Sequence, residues 1–288
     1  MGLTCPRLVP GTTFERYSFG EVRMIDLSRV RGALWLAPLA LTLTACDATA
    51  PKTSQPVSLS VTTKGTSGLS VPAGSGMSAA IQIGSGANSL TINQAQVVLA
   101  RIELSTAGGC AATGEEDDCA ELRLGPTLVD LPVDATTQVM LEDVAIPAGT
   151  YSGVQAKLDA VQPDDDEPGV SAFLTAHPDF QGISVKVTGV FTDARSTTHN
   201  FTFTSEIDAE MAMRFEPPVT LASDTKNFTI AVDVASWFKD ASGAVIDPTD
   251  PANAEAIERN ILRSARVFED DDHDGVDDHD DQGEGNHE

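Results

Sequence analysis

Residues 89–105 read SLTINQAQVVLARIELS, a run that alternates apolar and polar positions at its ends and turns continuously apolar at Val97, Val98 and Leu99. Such a run reads as a β-strand. Working outward, the same character recurs at residues 57–62, 77–83, 120–124, 127–133, 137–144 and 151–160. It returns at residues 183–192, 199–207, 209–215, 219–222 and 227–238, and Gly, Pro, Asn and Asp punctuate the whole series. Short strands at this spacing predict an all-β sandwich or barrel. Composition agrees: 41% of residues are hydrophobic but only 5% aromatic, and Val, Ile, Leu and Ala beside abundant Thr and Ser favour strands. One compact β unit over residues 57–250 is expected, with the acidic QPDDDEPG at 162–169 as a loop tip; two smaller sandwiches joined by that segment are the alternative.

A single helix is expected over residues 251–266. Asp250 suits the N-cap and Pro251 the first helical position, where its missing N–H costs nothing. Ile257, Ile261, Leu262 and Ala265 then share one face, and Phe268 reads as an anchor closing the segment 251–268. Residues 269–288 read as an acidic tail.

The start of the chain speaks of export. Arg29 and Arg31 precede an apolar run from residue 32 to 45, which ends in Leu43, Thr44, Ala45 and Cys46. A charged region, a short apolar region and small residues before a cut are the parts of a secretory signal, and the run is too short to span a bilayer. Cys46 resembles the lipobox cysteine of bacterial lipoproteins. The resemblance implies that its sulfur carries a diacylglycerol and that the mature chain begins there. Residues 1–45 form the signal region, with Met24 as the expected true start, and residues 46–56 form a flexible tether. The expected location is the bacterial cell envelope, lipid-anchored and facing the periplasm or the exterior. Asp47 resembles an enterobacterial retention signal, a rule that does not transfer to all bacteria, so the leaflet stays open.

A formal charge of −25 argues against nucleic acid as a partner, because phosphate contacts need a basic surface. Cys110 and Cys119 flank a loop rich in Ala, Gly and acids, and an oxidising compartment favours a structural disulfide between them.

The sharpest local signal is DDDHDGVDDHDD at residues 270–281. Counted from Asp270, acids fall at positions 1, 3, 5, 9 and 12, with glycine at position 6. Calcium takes six to eight oxygens, alternate residues of a tight loop can aim carboxylates inward, and the glycine makes the turn. The candidate ligands are Asp270, Asp272, Asp274, the Val276 carbonyl, Asp278 and Asp281, with Ca²⁺ as cofactor. The run resembles the calcium loops of dockerins and thrombospondin type 3 repeats. It departs from an EF-hand in Asp277 at an apolar position, in Asp281 where a bidentate Glu stands, and in the lack of an expected exiting helix. A solvated acidic tail is the alternative. His273, His279 and His287 do not have the spacing of a closed transition-metal site.

Residues 128–132 (LVDLP) and 144–151 (VAIPAGTY) place a tight Pro-Ala-Gly turn between two strands. With the strands before them, they resemble the core of bacterial lipoproteins built on an uncharacterised prealbumin-like or carbohydrate-binding-like sandwich, over residues 89–160. The resemblance implies an antiparallel, prealbumin/Ig-like β-sandwich at a surface, here with one C-terminal helix and a disordered acidic tail, and supplies no reaction.

Trp237 and Phe238 read as the end of a strand closing the core, with sugar stacking by Trp237, Phe238 or Tyr151 as the rival. No nucleophile elbow, metalloprotease helix or P-loop is present in the sequence, and His177 and His199 stand alone outside the tail. The expected protein is a non-enzymatic, membrane-anchored envelope lipoprotein with a binding or structural role toward an envelope protein or glycan. A carbohydrate-binding surface module is the alternative, and a glycoside-acting hydrolase, which would need two converging acids, a more distant one.

Overall fold

The computed structural model describes residues 54–64, 69–71, 79–84, 88–106, 119–222 and 226–281. The signal region, Cys46 and Cys110 lie outside these, as does the side chain of Cys119. The chain divides into two compact units, and all the described residues belong to the second, Thr49–Glu288.

The fold is all-β, a sandwich of two sheets. The strands are β1 (Ser54–Thr62), β2 (Leu69–Val71), β3 (Ala80–Ile83), β4 (Ser89–Thr106), β5 (Cys119–Leu131), β6 (Thr137–Pro147), β7 (Gly149–Leu158), β8 (Val185–Thr192), β9 (Thr198–Ser205), β10 (Ala209–Leu221), β11 (Lys226–Val232) and β12 (Ala265–Glu269). The four-stranded sheet has the order β12-β11-β1-β6; its one parallel pair is β1 with β11, Val57 opposite Lys226. The eight-stranded sheet is organised by β4. Its first half pairs with β3 and β8 and its second half with β5 and β7, while β9 lies on β8 and β10 on β7.

The run that opened the sequence reading explains itself in this setting. Leu90, Ile92, Val97, Leu99, Ile102 and Leu104 enter the main core between the sheets. Val98 points the other way and lies in a second, smaller core with Val161, Val170, Phe173 and Phe180. Those last residues come from helix α1 (Val170–Ala176), the 3₁₀ turn after it and the segments beside them, which cover the outer face of β4 at this point. A strand reads as continuously apolar where both of its faces are covered.

Several boundaries differ from expectation. The runs at 209–215 and 219–222 are one strand, β10, whose pairing with β7 shifts register between Arg214 and Val219. The run at 227–238 is not all strand. β11 ends at Val232, where the Asp233 carboxylate accepts a hydrogen bond from the Ser236 N–H (3.1 Å) and starts a short helix, α2 (Val234–Trp237). The expected helix at 251–266 is a 3₁₀ turn (Pro251–Asn253) capped by Asp250, then α3 (Ala254–Ile261), then strand β12. Ile257 and Ile261 face the core as expected. Beyond them, Val267 faces the core and Phe268 does not, an alternation that only a strand satisfies.

Candidate calcium site

The outer face of the four-stranded sheet decides where the acidic segment goes. Alternation in β1 sends Val57, Leu59 and Val61 into the core and Ser60 and Thr62 outward; β11 likewise sends Phe228 and Ile230 inward and Asn227 and Thr229 outward. Ser60, Thr62, Asn227 and Thr229 are nevertheless all buried. Residues 270–281 cover them. The segment expected as a disordered tail therefore lies on the sheet from Asp270 to Gly275, its described part runs on to Asp281, and residues 282–288 lie outside the described ones. The physical reason is a shelf of small polar side chains with donors to offer.

Asp270 is fully buried and anchors the segment. Its Oδ2 accepts from the Thr229 hydroxyl at 2.6 Å and from the Gly275 N–H at 3.1 Å. Its carbonyl accepts from the Asn227 side-chain amide at 2.7 Å, and Ser60 Oγ donates to Asn227 Oδ1 at 2.9 Å, so the shelf is wired to the loop. Asp270 Oδ1 is buried and has no partner. Burial pushes this carboxyl above the usual carboxylate range, and the Thr229 and Gly275 bonds only partly offset it. A buried carboxylate oxygen with nothing bound to it is costly, about 1–3 kcal/mol or more for a charged group.

Gly275 makes the tight turn that sequence spacing assigned to it. Its φ is +80°, and a Cβ there would sit 2.6 Å from Thr137 Oγ1 and 3.2 Å from Thr62 Oγ1. Only glycine fits both the left-handed backbone and the close approach to the sheet.

One carboxylate oxygen each from Asp270, Asp272 and Asp278 lies within 4.8 Å of the others, close enough to share an ion. Those are positions 1, 3 and 9 of the expected loop. Asp274 is not among them. Its Oδ1 accepts from the Val276 N–H at 2.7 Å and its Oδ2 is 3.7 Å from Lys64 Nζ, which also donates to the Asp274 carbonyl at 2.7 Å. Val276 is half-buried, and the side chain of Asp281 lies outside the described residues. The exiting helix that the sequence did not promise exists as one turn, α4 (Asp278–Asp281).

A second triad, Glu269, Asp271 and Asp278, shares Asp278 with the first. Lys226 already serves it, paired with Glu269 and, at 2.7 Å, with Asp271. Burial works against the Lys226 ammonium, but the hydrogen bonds it donates to Asp271 and Glu269 outweigh it and raise its pKa overall. Asp278 Oδ2 also accepts from the Asp271 N–H at 2.9 Å. The first triad is therefore the one with an oxygen to spare. Sequence reasoning missed Thr229, Asn227, Ser60 and Lys226; the signal available was the alternation of small polar residues with apolar ones in β1 and β11.

The aromatic candidates for sugar stacking do not present a face. Trp237, Phe238 and Tyr151 are all buried: Trp237 Nε1 donates to Ser264 Oγ at 2.6 Å, Phe238 stands edge-on to Phe201 and Phe203, and the Tyr151 hydroxyl donates to the Pro147 carbonyl at 2.8 Å. His273 approaches Ser60 at 3.5 Å and His279 approaches Asp277 at 3.1 Å. His177 packs tilted against Phe173 and edge-on to Phe180, and His199 lies 3.9 Å from Asp193.

No family model matches the chain, and no curated protein does. Among solved structures, MbnP from Methylosinus trichosporium is similar at 14% identity, over 70% of this chain and 85% of that one, with a TM-score of 0.27. A likeness at that level assigns neither family nor role.

Proposed function

We propose that this chain is a non-enzymatic, membrane-anchored lipoprotein of the bacterial envelope, whose β-sandwich is fastened by one Ca²⁺ at Asp270, Asp272 and Asp278. Its role is binding or structural. One observation carries the calcium reading: the fully buried Asp270 carboxylate keeps an oxygen without a hydrogen-bond partner, and one oxygen of this carboxylate lies within 4.8 Å of one oxygen each of Asp272 and Asp278. A hard divalent cation is the partner such an oxygen set suits, and Asp274, the Val276 carbonyl, Asp281 or water would complete its six to eight ligands. The ion would neutralise part of a segment holding eight aspartates and hold it to the sheet. The lipid reading rests on Cys46 and the residues before it.

Calorimetric titration of the full chain with Ca²⁺ and Mg²⁺, beside Asp270→Asn and Asp272→Asn, tests the metal site. Saturable heat with one ion bound, selective for Ca²⁺ and reduced in both variants, is the expected result. Equal heat in wild type and variants, or none, would end the calcium reading. Metabolic palmitate labelling that persists in Cys46→Ser would end the lipid one.

A further inference from the structure

At the end of the four-stranded sheet, where β1 and β11 finish and β12 begins, a cleft of about 470 Å³ opens between the strand ends and α2. Its charge is opposite to that of the molecule. The chain has 43 acids against 18 lysines and arginines, yet among the described residues Lys64, Arg263 and Arg266 line this cleft with Asp233 as the one acid in its lining, and Asp274 pairs with Lys64 from outside it. The Asp233 carboxylate is engaged with the Ser236 N–H. Arg263 and Arg266 are exposed, and among the described residues neither guanidinium has a carboxylate partner; Arg266 rests over the Phe268 ring, 5.3 Å from its centroid.

We propose that this cleft binds a phosphate-bearing anion, either a soluble phosphate ester or a lipid headgroup. Two arginines on one rim can each meet phosphate oxygens through paired N–H donors, which is the geometry guanidinium groups favour. Lys64 adds a third positive charge from the opposite strand end. The surplus of acid elsewhere repels anions at long range, so a recess with two guanidiniums that have no carboxylate partner, and Lys64 beside them, is a place where an anion is attracted rather than excluded. Lys64 also pairs with Asp274 of the acidic segment, so Arg263 and Arg266 carry the anion site, which needs no metal.

The test uses the full chain in calcium-stripped buffer, with sn-glycerol 1-phosphate as the soluble probe and vesicles of phosphatidylglycerol against phosphatidylcholine as the lipid probe. Arg263→Gln with Arg266→Gln is the test variant, and Lys64→Gln is a milder one. The side chains are exposed, so the fold should be kept, and circular dichroism checks that. The expected result is saturable glycerol phosphate binding that weakens about tenfold or more in the double variant. Binding to phosphatidylglycerol in excess of phosphatidylcholine, lost in the double variant and without binding of the soluble ester, would assign the site to a headgroup. Binding that survives the double variant, or no binding of either probe, overturns the proposal.

Discussion

The Thr229 hydroxyl and the Asp270 carboxylate meet at 2.6 Å beneath the acidic segment, and this bond, beside those that Asn227 makes to Asp270 and Asp271, joins the polar face of the sheet to the start of the loop. Thr229 and Asp270 are both fully buried. Thr229→Val keeps the shape and removes the donor, leaving Asp270 Oδ2 with the Gly275 N–H alone. We expect a loss of about 1–3 kcal/mol in urea unfolding without calcium. A variant as stable as wild type under those conditions would mean that the segment does not depend on the shelf.

Gly275→Ala should loosen the same contact from the other side. A non-glycine residue held in the left-handed region costs about 1–2 kcal/mol, and here the added methyl also meets the Thr137 hydroxyl at 2.6 Å. Reduced stability with faster amide exchange at residues 270–277 is the expected outcome. Unchanged exchange rates would count against the packed turn.

Trp237 is the largest fully buried side chain, and its indole N–H is satisfied by Ser264. Trp237→Ala should cost about 3–5 kcal/mol, the range for deleting a buried aromatic. Trp237→Phe should cost less, retaining one of the two fused rings but leaving Ser264 Oγ without the indole donor. If Trp237→Ala unfolds at the wild-type denaturant concentration, the placement of the indole in the core is wrong.

Asp159 gives a pH dependence. Burial holds its carboxyl above the usual range, with Lys157, 3.9 Å away, pulling the other way, and Asp208, Asp165 and Glu167 adding to the rise. A carboxyl whose folded pKa is raised contributes stability that is complete below its unfolded pKa, near 4, and is lost as the pH climbs through the folded value. The contribution therefore falls from acid toward neutral pH, and Asp159→Asn should remove that part of the slope. Urea midpoints of the two proteins from pH 4 to 7 make the comparison, and parallel curves would refute it.

The disulfide expected between Cys110 and Cys119 is open to a direct check. Intact mass after alkylation, with and without reductant, should show Cys110 and Cys119 blocked until reduced. Two free thiols would remove the disulfide.

Most of the sandwich was legible because its strands alternate, and alternation survives wherever one face meets the core and the other meets water. It misleads where both faces are covered. Val98 is such a place, and so are Ser60 and Thr229, polar residues that the acidic segment buries. The end of β11 was overrun because Val234, Trp237 and Phe238 are as apolar as a strand, while the deciding feature is the Asp233 cap. The helix at 251–266 was extended too far for a related reason: Leu262 and Ala265 fit the helical face, yet Val267 and Phe268 part to opposite sides of a sheet. In the acidic segment, the spacing of Asp270, Asp272, Gly275 and Asp278 carried its geometry to the page, but nothing local could show that Thr229, 41 residues away, would receive it.

The position of β1 has a mechanical consequence. Ser54 begins a strand that runs in the interior of its sheet, bonded along its length to β6 on one side and, from Val57 on, to β11 on the other. A force drawing on the chain ahead of Ser54 pulls along the strand axis, across the perpendicular bonds to β6 and the slanted bonds of the parallel pair with β11. Both rows then carry the load at once, so the strand must slide as a whole before any bond is released. The chain is thus gripped in shear at the end nearest its expected attachment, where an edge strand would peel away one residue at a time.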